Sequence, residues 1–102
     1  MITVIAEINC HPGQRAAVLQ AFERLLPSVL AEPGCGGYQP LVDIEGQAPW
    51  QALAPDTIFM LEQWQDMAAL NAHMQMPHMA AHKEATQDLI VDVKVRILDK
   101  AL

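Results

Sequence analysis

Three of the four histidines, His73, His78 and His82, fall within ten residues of one another in a stretch rich in Ala and Met. Imidazole has an unperturbed pKa of about 6.5, so it can accept or donate a proton near neutral pH. Pro77 divides the stretch, because a proline inside a helical pattern removes a backbone donor and breaks the helix. His73 therefore lies on one helix, while His78 and His82 share a face of a second helical segment.

Metal binding is the first alternative for this cluster. The four-residue spacing of His78 and His82 suits a metal pair, but no Glu follows the first histidine as it does in the zinc-protease motif. No nearby acidic ligand is clear, so no metal site is expected. The two cysteines, Cys10 and Cys35, form neither a disulfide framework nor a metal pair by their spacing.

The histidines are positioned by alternating strand and helix patterns. Asp66 is a suitable N-cap for the helix that carries His73. The segment from His78 to about Gln87 forms the next helical piece. An amphipathic helix of about 15 to 19 residues follows the turn at Pro12, with Pro27 expected to kink or restart it. Strands are predicted at residues 2–10, 37–44, 57–64 and 89–97, the first buried on both sides and the last half-buried.

This order, β-α-β-β-α-β, predicts an α+β, ferredoxin-like fold formed by a single domain over residues 1–102. In that topology Cys10 and Cys35 lie at opposite ends of the sheet, so no bridge between them is expected. The two helices cover one sheet face, and 52% of the residues are apolar. We therefore expect a homodimer that closes sheet face against sheet face.

Charge and hydropathy exclude several classes of function. The net charge is −6, and the six Lys and Arg residues are scattered, so nucleic acid and anionic membrane surfaces are poor partners. No apolar run approaches the roughly 18 residues of a membrane span. The first residues lack the basic region of a signal peptide, and a cytoplasmic location is expected.

Three stretches of the chain resemble the antibiotic biosynthesis monooxygenase family. They are the strand and turn from Ile5 to Gly13, the loop Glu32-Pro33-Gly34-Cys35-Gly36-Gly37-Tyr38, and Glu62-Gln63-Trp64 followed by Ala69-Leu70-Asn71-Ala72-His73 and Pro77-His78. The resemblance implies a dimeric α+β barrel that oxygenates a quinol or hydroxylated, polyketide-like aromatic with O2. It also implies that no metal, flavin or haem takes part. Such chemistry needs a base, a dry pocket and hydrogen bonds to the substrate anion.

The candidate site residues follow from this chemistry. His73 is the candidate catalytic base, with a core or capping histidine as the alternative. The candidate substrate-binding residues are Trp64, which would stack on the substrate, His78 at the pocket rim, Asn9 and Tyr38 as hydrogen-bonding groups, and Met60 as an adaptable wall. Simple core packing remains the commoner role for Trp64 and Met60. For Glu62, which shares a strand face with Trp64, an ion pair with Arg96 or Lys94 is favoured.

Two other functions remain as alternatives. A related haem-degrading branch of the fold uses an Asn, a Trp and a His, but here the matching positions hold Ile8 and His73, and only His82 resembles the ligand. Haem degradation is therefore disfavoured, and no cofactor is expected. The second alternative is a non-catalytic, ligand-binding or stress-associated dimer of the same fold. In that case Met60, Met74 and Met79 would plug the pocket.

Overall fold

The computed structural model describes residues 1–102 and contains the elements in the predicted order. The strands are β1 (Ile2–Cys10), β2 (Cys35–Leu41), β3 (Thr57–Trp64) and β4 (Ile90–Leu98). The helices are α1 (Arg15–Leu30), α2 (Met67–Met74) and α3 (Pro77–Thr86), and a short 3-10 turn spans Gln87–Leu89. The predicted β3 is confirmed residue for residue, whereas β2 begins and ends earlier than the sequence indicates.

The four strands form one sheet in the order β2-β3-β1-β4, in which all neighbours are antiparallel. β1 and β2 therefore run parallel with β3 between them, which is the ferredoxin-like topology. Cys35 lies opposite Trp64, and Trp64 lies opposite Ile2 at the start of β1. Cys10 ends β1, so the two cysteines lie at opposite ends of the sheet, and both are free.

The helices cover one face of the sheet, and the core lies between the helices and that face. On β1 the side chains of Val4, Ala6, Ile8 and Cys10 are buried, while the alternate residues are only half-buried. The expectation that β1 is buried on both sides is therefore wrong for the single subunit. α1 contributes the apolar stripe Val18, Phe22, Leu25 and Val29 to this core and continues through Pro27 as a single helix.

The last strand is far more exposed than its alternating pattern predicts. Val93 and Val95 lie opposite Ile8 and Ala6, on the helix-covered side, yet each remains about half exposed or more. β4 is an edge strand, and the fully buried core contains none of its residues. An alternating pattern identifies an apolar face, but only the packing of the helices decides whether that face is covered. None of the three helices has the length and apolar character that a membrane-spanning helix requires.

Candidate functional site

The site is formed where the α1–β2 loop meets the start of α2. Asp66 caps α2 as predicted, because its Oδ1 accepts a hydrogen bond of 2.9 Å from the amide of Ala69. The carbonyl of Gly34 accepts a bond of 2.8 Å from the amide of Gln65. Gly34 has a φ of +82°, a conformation that favours glycine, and a Cβ built there would lie 2.6 Å from Cβ of Ala69. This close approach brings Glu32 beside the helix that carries His73.

One carboxylate oxygen joins two of the three clustered histidines. Oε2 of Glu32 lies 2.8 Å from Nδ1 of His73 and 2.8 Å from Nε2 of His78. The side chains of His73 and Glu32 are 2% and 4% exposed, whereas that of His78 is 27% exposed. When both rings donate to Oε2, the lone pair of His73 is left on Nε2 and that of His78 on Nδ1. We call Glu32, His73 and His78 the carboxylate–histidine cluster.

Two aromatic side chains enclose the His73 ring. The ring centroids of Trp64 and His73 are 4.5 Å apart, and those of Tyr38 and His73 are 5.4 Å apart. Trp64 is fully buried, and its Nε1 donates a hydrogen bond of 3.0 Å to Oε1 of Glu62. The His73 ring is therefore buried, flanked by two aromatic rings and hydrogen-bonded to a carboxylate.

Burial shapes the protonation of the acidic groups around His73. The pKa of Glu62 is raised, chiefly by burial and further by the charge of Glu32, although the hydrogen bond from Trp64 and the nearby His73 oppose the shift. Burial also raises the pKa of Tyr38, and the charges of Glu62 and Glu32 add to the effect. Tyr38 therefore stays a neutral phenol and can act as a hydrogen-bond donor.

The predicted ion pair of Glu62 with Arg96 or Lys94 is wrong. Arg96 lies opposite Ile5 and Lys94 opposite Glu7, so both face the uncovered side of the sheet. Glu62 lies opposite Val4, on the side covered by the helices. The register of β4 on β1 decides this, because residues directly opposite one another share a face. Trp64, two residues along the same strand, partners Glu62 instead.

The cluster is also the group best suited to bind a metal ion. The ligand atoms of Glu32, His73 and His78 all lie within 4.8 Å of one another, and Oε1 of Glu32 is buried without a partner. However, the ring nitrogens of both histidines are directed at the same oxygen at 2.8 Å. A metal would need to lie in that direction at about 2.0–2.1 Å from each nitrogen. The arrangement is therefore that of two hydrogen bonds, and a metal could enter only if the carboxylate moved.

The other predicted site residues fall into two groups. Trp64, Tyr38 and His78 come together with His73, and Met60 lies on the same face but is fully buried in the core. Asn9 does not join them, since it lies at the far end of β1 on the opposite face. There its Nδ2 donates to Asp92 at 2.7 Å, and its Oδ1 accepts from Thr57 at 2.8 Å.

Three further outcomes concern the cluster and its surroundings. The sequence alone did not identify Glu32 as a site residue. The only feature that could have pointed to it was its place in the Glu32-Pro33-Gly34 loop, which resembles the family. The third histidine, His82, packs on Phe22 with ring centroids 4.4 Å apart and makes no bond to Glu32. Of the methionines expected to plug a pocket, Met74 is exposed and Met79 packs partly buried against the core.

Two cavities lie outside the enclosure of His73. One, of about 210 Å³, lies between α1 and α3 and reaches the cluster through His78; its polar lining residues are Arg24, Ser28, His78 and His82. The other, of about 480 Å³, lies under the connection between β2 and β3, where it is lined by Leu41, Trp50 and Phe59 among others. Only the first cavity contacts the cluster.

Comparison with known proteins gives consistent similarities. The family model described as "Antibiotic biosynthesis monooxygenase" matches residues 1–85. The chain is 47% identical, over the full length of both sequences, to the Escherichia coli (strain K12) protein named "Probable quinol monooxygenase YgiN". A crystal structure of an antibiotic biosynthesis monooxygenase superposes with a TM-score of 0.83 at 25% identity, covering 100% of both chains. A Pseudomonas aeruginosa structure gives 0.82 at 28% identity, covering 99% of this chain and 94% of that one.

Proposed function

This chain belongs to the antibiotic biosynthesis monooxygenase family, and from that premise we propose that it oxidises a quinol or hydroxylated aromatic with O2. The family supports a monooxygenase-type reaction. The name of the Escherichia coli relative supports a quinol as the class of substrate. Atoms and electrons balance without another reductant: a quinol and O2 give a hydroxyquinone and water, and every electron that reduces oxygen comes from the substrate.

The observation that carries this proposal is the buried pair of His73 and Glu32 beside Trp64 and Tyr38. Donation from Nδ1 of His73 to Glu32 leaves Nε2 free to accept the phenolic proton. Loss of that proton makes the substrate a stronger electron donor. In our proposal Trp64 stacks on the aromatic ring, Tyr38 donates a hydrogen bond to the substrate oxygen, and His78 lies at the rim.

His73 is only 1% exposed, so the substrate must displace side chains to reach it. The junction of α2 and α3 is the simplest place for this movement. Only Gln75 and Met76 join the two helices there, and the backbone of Met76 is extended. In this proposal α3 moves relative to α2, and Met60 forms a wall of the opened pocket.

The same burial favours a second candidate function, a small-ligand-binding or stress-associated domain without catalysis. A fully enclosed and hydrogen-bonded histidine also serves as a structural member of the core. The two functions differ in one measurable property, which is the consumption of oxygen in the presence of a quinol.

We also propose a homodimer formed through the uncovered sheet faces. That face carries Ile5, Phe59 and Leu61, which the helices do not cover and which are only half-buried in one subunit. One subunit has a mass of 11.2 kDa, so sedimentation at micromolar concentration should give twice that value. A cytoplasmic location is part of the proposal, in keeping with two free cysteines.

The experiment is oxygen uptake with a panel of hydroquinones, using protein dialysed against a chelator. We expect at least one quinol to support uptake in the original protein, and His73→Ala to lose it. His11→Ala is the matched control, because His11 is exposed in the turn after β1. Equal rates in His73→Ala and the original protein would exclude His73 as the base. Absence of uptake with every quinol would favour the ligand-binding alternative.

A further inference from the structure

The cavity between α1 and α3 brings together a positive charge and several hydrogen-bonding groups. Its polar lining consists of Arg24 and Ser28 from α1 and of His78 and His82 from α3, and no carboxylate lines it. The whole chain has twelve Asp and Glu residues against six Lys and Arg residues, so a wall that carries a cation and no acid stands out. We call this cavity the Arg24 cleft. It presents a positive potential to a ligand.

The Arg24 guanidinium has no acidic partner within the protein. The ion pairs of the structure join Glu32 to its two histidines and Lys94 to Glu7. The pKa of His82 is lowered chiefly by burial and further by the charge of Arg24, so this charge acts inside the cleft. A guanidinium offers five N–H donors in a planar fork, which matches the two oxygens of a carboxylate. An unpaired arginine in a cleft therefore favours an acidic ligand.

The remainder of the cleft is apolar. Its four hydrophobic lining residues are Ala21, Leu25, Ala81 and Ala85. On each helix the lining residues recur at spacings of three and four, so one stripe of α1 faces one stripe of α3. The cavity volume is about 210 Å³. Each water molecule occupies about 30 Å³ in the liquid, so the cleft holds roughly seven groups of that size. This space exceeds a single ion and suits a small organic molecule.

We propose that the Arg24 cleft binds a small carboxylate with an apolar body, at a site separate from the enclosure of His73. The carboxylate accepts hydrogen bonds from the guanidinium of Arg24, and the hydroxyl of Ser28 can donate another. The apolar body contacts the alanine and leucine side chains of the two stripes. No covalent bond forms or breaks. The site does not depend on the proposed oxygenation, because binding requires no quinol and no O2.

Binding should also be linked to protonation of His82. Arg24 from α1 is the one charge that lowers its pKa, Phe22 packs on its ring, and His78 precedes it by one turn on α3. A bound carboxylate offsets the charge of Arg24, so the pKa of His82 should rise on binding. A group whose pKa rises in the complex binds its proton more tightly there, and the ligand therefore binds more tightly as the pH falls. The affinity should increase from pH 8 to pH 6.

The first test compares benzoate with benzamide, which has the same shape but no charge. Isothermal titration calorimetry and backbone-amide NMR shifts of the lining residues measure the binding. We expect benzoate to bind in the cleft and benzamide to bind at least about tenfold more weakly, because hydrogen bonds to a charged group are the stronger ones. Added salt should weaken benzoate, since Arg24 is exposed. Equal affinity for the two compounds would overturn the proposal.

The second test uses variants of the two helices. Arg24→Gln should weaken benzoate binding by at least about tenfold. Lys83→Gln is the matched control, because Lys83 is exposed on α3 next to His82 and does not line the cleft. Ala81→Leu keeps every charge, fills the cleft and should abolish binding. Unchanged affinity in Arg24→Gln, or an equal loss in Lys83→Gln, would overturn the site.

Two further outcomes are decisive. In NMR titrations of the histidine ring protons, benzoate should raise the pKa of His82 and benzamide should not; an unchanged His82 with benzoate bound would place the ligand elsewhere. Inorganic phosphate tests the nature of the anion. Binding of phosphate without binding of benzoate would exclude a carboxylate with an apolar body.

Discussion

Replacement of Gly34 by alanine tests how closely the α1–β2 loop must approach α2. Gly34 has a φ of +82°, and an added Cβ would lie 2.6 Å from Cβ of Ala69. Gly13 has a φ of +78°, but nothing lies within 4 Å of its added Cβ. Gly13→Ala therefore reports the backbone cost alone, and Gly34→Ala reports the same cost plus the steric overlap.

The magnitudes follow from these two contributions. A left-handed conformation costs an alanine about 1–2 kcal/mol, and the stiffer unfolded chain offsets about 0.4–1 kcal/mol of it. Gly13→Ala should thus destabilise the fold by about 1 kcal/mol. The overlap at Gly34 adds about 1–3 kcal/mol, since carbon atoms pack best at about 3.5–4.0 Å. Gly34→Ala should therefore cost about 2–4 kcal/mol.

Thermal unfolding at a fixed protein concentration provides the assay, because a dimer's Tm depends on concentration. For a domain of this size each kcal/mol lowers Tm by about 4–8 °C, so Gly34→Ala should unfold at least about 8 °C below the original protein. The overlap also moves α2, and Ala69 lies one turn before His73. We therefore expect the Glu32–His73 hydrogen bond to weaken and oxygen uptake to fall in Gly34→Ala, but not in Gly13→Ala.

A double-mutant cycle that combines Gly34→Ala with Ala69→Gly tests whether the steric overlap causes the destabilisation. Ala69→Gly alone costs roughly 0.5–1 kcal/mol, because glycine is a poor residue inside a helix. In the double variant the overlap with Cβ of Ala69 is gone, and the next nearest atoms to the new Cβ are Cβ and Oε1 of Gln65, at 3.5 Å and 3.6 Å. The two changes should therefore offset each other by about 1–3 kcal/mol. Additive effects, or equal destabilisation in Gly34→Ala and Gly13→Ala, would exclude the steric explanation.

Three further predictions concern the elements around the site. Burial raises the folded-state pKa of Glu62, so the stability that its protonated form supplies is lost as pH rises through that pKa. Glu62→Gln keeps an acceptor for Trp64, and its Tm advantage over the original protein should grow from pH 4 to pH 8; an equal difference at both pH values would contradict this. Asp66→Ala should lower the stability by about 1 kcal/mol in denaturant unfolding, whereas Asp66→Asn should lose much less, because it can still cap α2. Leu61→Glu introduces a charge in the middle of the uncovered sheet face and should reduce the sedimentation mass to 11.2 kDa; a mass that stays doubled would refute dimerisation through that face.

The local pattern of the sequence predicted most of the fold. The ends of β3, the cap at Asp66, the break at Pro77 and the order of the elements all depend on residues within a few positions of one another. These features are set by backbone and side-chain preferences that act over one turn or one strand. For the same reason His73 could be separated from His78 and His82 without a structure.

Contacts between distant segments could not be predicted in the same way. The sequence indicated that Glu62 shares a face with Trp64, but its partner depended on the register of β4, which placed Arg96 and Lys94 on the other face. The exposure of β4 likewise depended on how far the helices extend over the sheet. Each is a property of two elements together, and neither element's pattern contains it.

The carboxylate–histidine cluster shows which features the sequence determined and which depended on the tertiary structure. The sequence by itself determined that His73 lies on an apolar helix capped by Asp66, and that Pro77 separates it from His78. Only the tertiary structure brought Glu32, 41 residues before His73, into contact with both rings. The physical reason is the Gly34 turn, which lets the loop approach α2 more closely than any side chain would allow. That approach joins one buried and one exposed imidazole through a single carboxylate oxygen.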